Sequence, residues 1–152
     1  MDSPGIYNLG DAVVSAVVTN VVLTSTPDAQ GVAQGYVDGL DGMLSAGFDI
    51  NFNAGNGAGT SATVDIFTTL NQAGSASGGT WQHIARAKFS NMSDEKSFNV
   101  SGLTPRTTGY SPTTPADNTA VDGIVGPRWR ALLTTVGVFG GNSSVSVRMI
   151  AR

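Results

Sequence analysis

The sequence has no cysteine and one histidine, His83. Without cysteine there is no disulfide framework, no thiolate zinc site and no cysteine nucleophile. With a single histidine there is no multi-histidine metal site and no histidine-rich pH switch. Charge is sparse as well: charged residues make up 12% of the 152-residue chain, roughly half the usual share. Lys and Arg are missing altogether from residues 1–85, which hold seven Asp. No stretch carries a sustained 3.6-residue apolar stripe, so amphipathic helices are not expected.

What is present points to a packed β domain. Hydrophobic residues are 40% of the chain, too many for a disordered segment, and Gly accounts for 20 positions. Residues 43–53 alternate strictly, with Leu44, Ala46, Phe48, Ile50 and Phe52 on one face and Ser45, Gly47, Asp49, Asn51 and Asn53 on the other. Period two with one apolar face predicts a half-buried antiparallel strand. Residues 53–59 then supply Gly- and Asn-rich turn chemistry. Further strands are expected at Ala62–Leu70 and Trp81–Phe89, linked by the Gly-rich stretch Ala73–Gly79. In the second of these, Trp81, Ala85, Ala87 and Phe89 are read onto one face, opposite Arg86 and Lys88.

The C-terminal region reads as a hairpin, Trp129–Phe139 returning through Gly140-Gly141-Asn142 into Ser143–Ile150. The Val-rich run Val13–Leu23 reads as another strand. Four of six prolines fall in residues 101–127, where Pro cannot feed a sheet ladder; this predicts one long Pro/Thr/Gly-rich loop or arm, with a short helical turn near 117–123. The expected fold is all-β, an antiparallel β-sandwich, jelly-roll-like. Its organisation is a β-sandwich domain over 40–152, with an N-terminal strand or arm over 1–39 packing on that domain or on a neighbour.

Catalytic chemistry finds little support. A triad requires a histidine base, and the only one, His83, sits in a strand pattern that suggests a packed or interface residue. Asp49-Ile50-Asn51-Phe52-Asn53 has the opening spacing of a calcium loop, but Ala54 replaces the required Gly and Thr60 the closing Glu. Gly55–Gly59 is glycine-rich, yet no lysine follows to make a phosphate cradle. No cofactor, metal or catalytic residue is therefore expected. The apolar run 12–23 is broken by Ser15, Thr19 and Asn20 and preceded by no basic residue, so it reads neither as a signal peptide nor as a membrane span. An isoelectric point near 4.7 argues against nucleic acid as a partner.

Interaction residues are easier to name. Arg128-Trp129-Arg130 follows Pro127, and Trp and Arg are enriched at interface hot spots. Alternation sends Trp129 to one face and both Arg to the other. Tyr110 in the long loop and Val13 and Val17 in the N-terminal run complete the set of expected interface residues. Residues 86–152 hold all eight Lys and Arg against four acids. That asymmetry suits head-to-tail contact between copies, unless the fold interleaves the two halves.

Taken in order, Gly78-Gly79-Thr80-Trp81-Gln82-His83-Ile84-Ala85, Phe89, Val100–Pro105, Asp117–Ile124, Gly126, Arg128, Arg130, Gly140-Gly141-Asn142 and Val145–Arg148 resemble small β-sandwich structural proteins of tailed bacteriophages. The likeness covers roughly residues 40–152. It implies a non-enzymatic virion component made in the host cytoplasm, foremost a head decoration (cement) protein. Its implied partners are the major capsid protein and copies of itself in a homotrimer, with no membrane or nucleic acid. A tail, neck or head-fibre component and a carbohydrate- or receptor-binding sandwich are the alternatives.

Overall fold

A computed structural model describes residues 4–27, 30–55, 59–70, 80–107, 109 and 113–152. The link Ala73–Gly79, turn residues 56–58 and Tyr110 lie outside the described residues. The strands are β1 (Gly5–Val13), β2 (Val21–Val22), β3 (Thr26–Pro27), β4 (Ala33–Gln34), β5 (Ser45–Asn53), β6 (Ser61–Thr69), β7 (Gln82–Phe89), β8 (Asp94–Ser101), β9 (Thr119–Ala120), β10 (Arg128–Val136) and β11 (Ser144–Ala151). Two antiparallel sheets pack face to face, ordered β1-β11-β5-β8 and β2-β10-β6-β7-β9, and β3–β4 forms a small separate hairpin. Setting aside the short β3, β4 and β9, the remaining eight strands run 1-8-3-6 and 2-7-4-5 in chain order. That is the wrapped order of a jelly roll.

The core follows from the alternation. Phe48, Ile50 and Phe52 of β5, Val64 and Ile66 of β6, and Val145, Val147 and Met149 of β11 are buried between the sheets. Phe52 meets Phe89 at 5.5 Å and Phe139 edge-on at 5.3 Å, while Phe48 lies 5.2 Å from Trp129. Each such side chain contributes about 1.5–3 kcal/mol of burial.

Three expectations are corrected. β10 and β11 do not form a hairpin; they lie in opposite sheets. Residues 137–143 cross between the sheets, with Phe139 buried beneath the crossing. A glycine-rich turn signals a reversal but does not say in which sheet the chain returns. The run Val13–Leu23 is likewise a crossing between β1 and β2, held by Val14 N–H on Ser143 O and Val18 N–H on the Thr135 hydroxyl. Asp117-Asn118 makes a turn into β9 rather than a helical turn, and β9 pairs with β7. Asn118 Oδ1 accepts from Lys88 N–H, and Asp122 Oδ1 from Ser101 N–H. The described part of the long loop thus packs on its own domain.

The N-terminal segment is built into the sandwich. β1 pairs with β11 along its length, with a bulge between Asn8 and Gly10 that turns Leu9 into the core. Gly10 takes φ 144°, and a Cβ there would sit 2.6 Å from the Leu23 Cβ. Only glycine meets both demands.

Candidate functional site

The chemistry-bearing side chains gather on the outer face of the five-stranded sheet. β10 turns Trp129 inward, where it is 1% exposed and its indole N–H donates to Gly126 O at 2.8 Å. The alternation therefore places Arg128 and Arg130 outward. Of the two faces the strand offers, Trp129 takes the one no partner can reach, so it is a core residue and not an interface residue.

A second bulge completes the outer face. β6 pairs Ile66 with Ala85 but Phe67 with His83, leaving Ile84 as the extra residue. One extra residue inverts the facing of everything before it. Ala85, Ala87 and Phe89 stay in the core, while His83 and Trp81 emerge on the side of Arg86 and Lys88. The expectation that Trp81 shares a face with Ala85 is corrected by this bulge. The only sequence sign of it is the apolar pair Ile84-Ala85, which breaks the alternation.

The result is a ladder of rings and cations. Arg128 lies 3.0 Å from Asp38 and over the Tyr36 ring at 5.0 Å. Tyr36 is 6.1 Å from Trp81, and the Arg130 guanidinium lies over Trp81 at 4.2 Å and over Phe67 at 5.6 Å. Phe67 stacks on His83 at 4.4 Å. His83 Nε2 and Arg86 Nε each donate to Asp65 Oδ1 at 2.8 Å, and Arg86 Nη2 donates to Oδ2 at 3.1 Å.

Electrostatics separates the two arginines of β10. Contact with the Asp38 carboxylate raises Arg128 above the ordinary guanidinium range. Burial alone lowers Arg130, which has no ion pair among the described residues and whose Nε is buried without a hydrogen-bond partner. Burial would push Asp65 up, but hydrogen bonds from His83 and then Arg86 outweigh it and hold the carboxyl below its ordinary value. Beside this network a concavity of about 340 Å³ is lined by Phe67, Trp81, His83, Arg86, Asn20, Asp65, Thr113 and Thr114. Phe67 and Asp65 were not among the expected interface residues, because Phe67 meets Arg130 and Asp65 meets His83 and Arg86 only across strands.

The remaining expected residues lie elsewhere. Val13 and Val17 are 73% and 56% exposed at the end of the sandwich formed by the loops after β1, β5, β7 and β10. Met92, Val136 and Val138 are exposed at the same end, and Ile6, Leu44, Leu70, Leu103 and Ile150 towards the opposite one. The charged halves of the chain interleave: Asp11 pairs with Arg148, Asp38 with Arg128 and Asp65 with Arg86. Asp49 and Glu95 meet on the exposed outer face of the other sheet, where the hydrogen bond with Asp49 raises the Glu95 carboxyl. Among the described residues no three His, Asp or Glu stand together as a metal site. No family model matches the chain, and neither a curated protein nor a solved structure matches it.

Proposed function

We propose that the protein is a non-catalytic structural component of a tailed-phage virion, a head decoration (cement) protein that binds the major capsid protein as a homotrimer. The carrying observation is the placement of exposed apolar side chains at both ends of a rigid jelly roll, Val13, Val17, Met92, Val136 and Val138 at one and Ile6, Leu44, Leu70, Leu103 and Ile150 towards the other. Apolar surface of this kind marks contact sites between proteins. Two such ends let one module touch both its own copies and a shell. The likeness of residues 40–152 to phage β-sandwich proteins supports the same reading, and the jelly roll is a fold that capsid domains use.

The test is to add purified protein to undecorated phage heads. Binding should saturate at a stoichiometry set by the capsid lattice, and the free protein should have three times the 15.5 kDa chain mass. Val13→Asp with Val17→Asp should abolish binding while preserving the fold. Density on the tail or neck would reassign the protein to that part of the particle, and no binding to any part would overturn the proposal.

A further inference from the structure

β5 carries a glycine that the fold does not call for. Gly47 sits within the strand, paired with Ile150 of β11 on one side and Asn99 of β8 on the other, and the register runs unbroken through it. Its φ lies outside the left-handed region, and a Cβ there would meet only Phe98 O at 3.8 Å, an ordinary contact. Glycine inside a strand weakens it and marks either a bulge or a place where another chain comes close. There is no bulge at Gly47.

The missing side chain opens a groove on the outer face of the four-stranded sheet. A concavity of about 430 Å³ is lined by Gly47 together with Ile6, Ile150 and Phe98, and reaches Asp49. Ile6 and Ile150 are both exposed there. A second concavity of about 190 Å³ shares Gly47 and Ile150 and continues to Ser45 and Arg152. Together they follow β5 from Ser45 to Asp49, a run of about 13 Å at the rise of a strand. That length suits an extended segment rather than a compact ligand.

Charge tells the two ends apart. Arg148 stands opposite Asp49 on β11 but turns away, with Nη1 on Asn8 Oδ1 at 2.8 Å and Nη2 3.0 Å from Asp11. Lys96 is taken by Asp94 at 2.9 Å. Asp49 and Glu95 thus meet with no ion pair among the described residues, and the hydrogen bond with Asp49 raises the Glu95 carboxyl. Two carboxyls crowded in this way favour a cation brought from outside. The other end has the opposite sign, since Arg152 lines it.

We propose that this groove receives an extended segment of a partner protein, with a large apolar side chain over Gly47 and, two residues on, a Lys or Arg over Asp49 and Glu95. The spacing follows from strand geometry: residues i and i+2 of an extended segment share a face about 6.6 Å apart, as Gly47 and Asp49 do on β5.

The isotope-labelled full chain is titrated with the blocked pentapeptide threonine-phenylalanine-threonine-lysine-threonine, and amide NMR shifts are followed. The amides of Gly47, Ser97 and Ile150 should move, with a Kd on the order of a millimolar. The same peptide with glutamate in place of lysine should bind about fivefold more weakly or less. Gly47→Val fills the groove; it should abolish the shifts and melt no lower than the wild type, because a Cβ fits and valine favours strands. Asp49→Asn with Glu95→Gln should still bind and should no longer distinguish the lysine peptide from the glutamate one. No movement of those amides, equal binding of the glutamate peptide, or a Gly47→Val variant that binds normally would each overturn the proposal. So would movement of the same amides with protein concentration alone, since the groove would then hold a second copy. The titration needs no capsid, so its failure and a failure to bind phage heads are read apart.

Discussion

Replacing Asp65 by Asn tests the polar network under the outer face. Asp65 is 3% exposed, and its two oxygens accept three hydrogen bonds, from His83 at 2.8 Å and from Arg86 at 2.8 and 3.1 Å. All three partners are donors. An asparagine can offer one oxygen to the pair at Oδ1, but its amide nitrogen then faces Arg86 Nη2, donor against donor. Breaking one member out of a fully buried charge pair costs about 3–5 kcal/mol. The Arg86 side chain is 28% exposed, so water can reach it, and a discounted cost of about 2–3 kcal/mol is expected. At about 2–4 °C per kcal/mol for a chain of this length, the midpoint of thermal unfolding should fall by roughly 4–12 °C near pH 7.

The pH dependence carries the sign. The Asp65 carboxyl is held below its ordinary value in the folded protein. Its contribution is therefore fully present above the unfolded value of about 3.9 and is lost as pH falls through the lower folded one. The difference between wild type and Asp65→Asn, followed by urea denaturation, should be largest near neutrality and shrink below about pH 4. A variant within about 0.5 kcal/mol of wild type near pH 7, at the level of an ordinary surface change, would refute the assignment. A deficit that stays constant or grows towards acid would refute it as well.

Gly10→Ala should destabilise by roughly 3 kcal/mol or more, since it adds left-side backbone strain to a collision with Leu23; denaturant titration of the purified variant measures it. Deleting residues 2–23 should leave no folded protein, because β1 pairs with β11 and Leu9, Val14 and Leu23 are buried. Circular dichroism of that variant, beside the double Val13→Asp, Val17→Asp chain, separates a lost fold from a lost contact: the exposed pair should fold normally.

How much of this was legible in the sequence depends on whether the information is local. β5 could be read closely because Phe48, Ile50 and Phe52 alternate with Asp49, Asn51 and Asn53, and the same rule placed Trp129 opposite Arg128 and Arg130. The sandwich class follows from several such strands. Sheet membership does not: 137–143 and 14–20 are turn-rich connections whether they reverse within one sheet or cross to the other, and only pairing decides. Facing fails where a bulge intervenes, since period two carries no memory of an inserted residue. That is why the alternation puts Trp81 on the face of Ala85, and why Phe67 and Asp65, far away in sequence, are not seen as partners of His83.

The charge distribution changes meaning once the topology is known. An acidic first half and a basic second half would favour contact between copies only if the fold kept them apart. In a jelly roll the first and last strands are neighbours, so β1 meets β11 and Asp11 finds Arg148. The same wrapping lays β6 between β10 and β7 and brings Asp65 to Arg86, while the segment before β5 brings Asp38 to Arg128. Interleaving thus satisfies these basic residues of the second half within the chain, and the macroscopic asymmetry gives no reason to expect head-to-tail attraction. What survives it is local. Arg130 stands on the same strand as Arg128, yet the residue across from it on β6 is Phe67 rather than an acid. The charge without an ion pair among the described residues sits where the rings are, and its contacts there are the faces of Trp81 and Phe67.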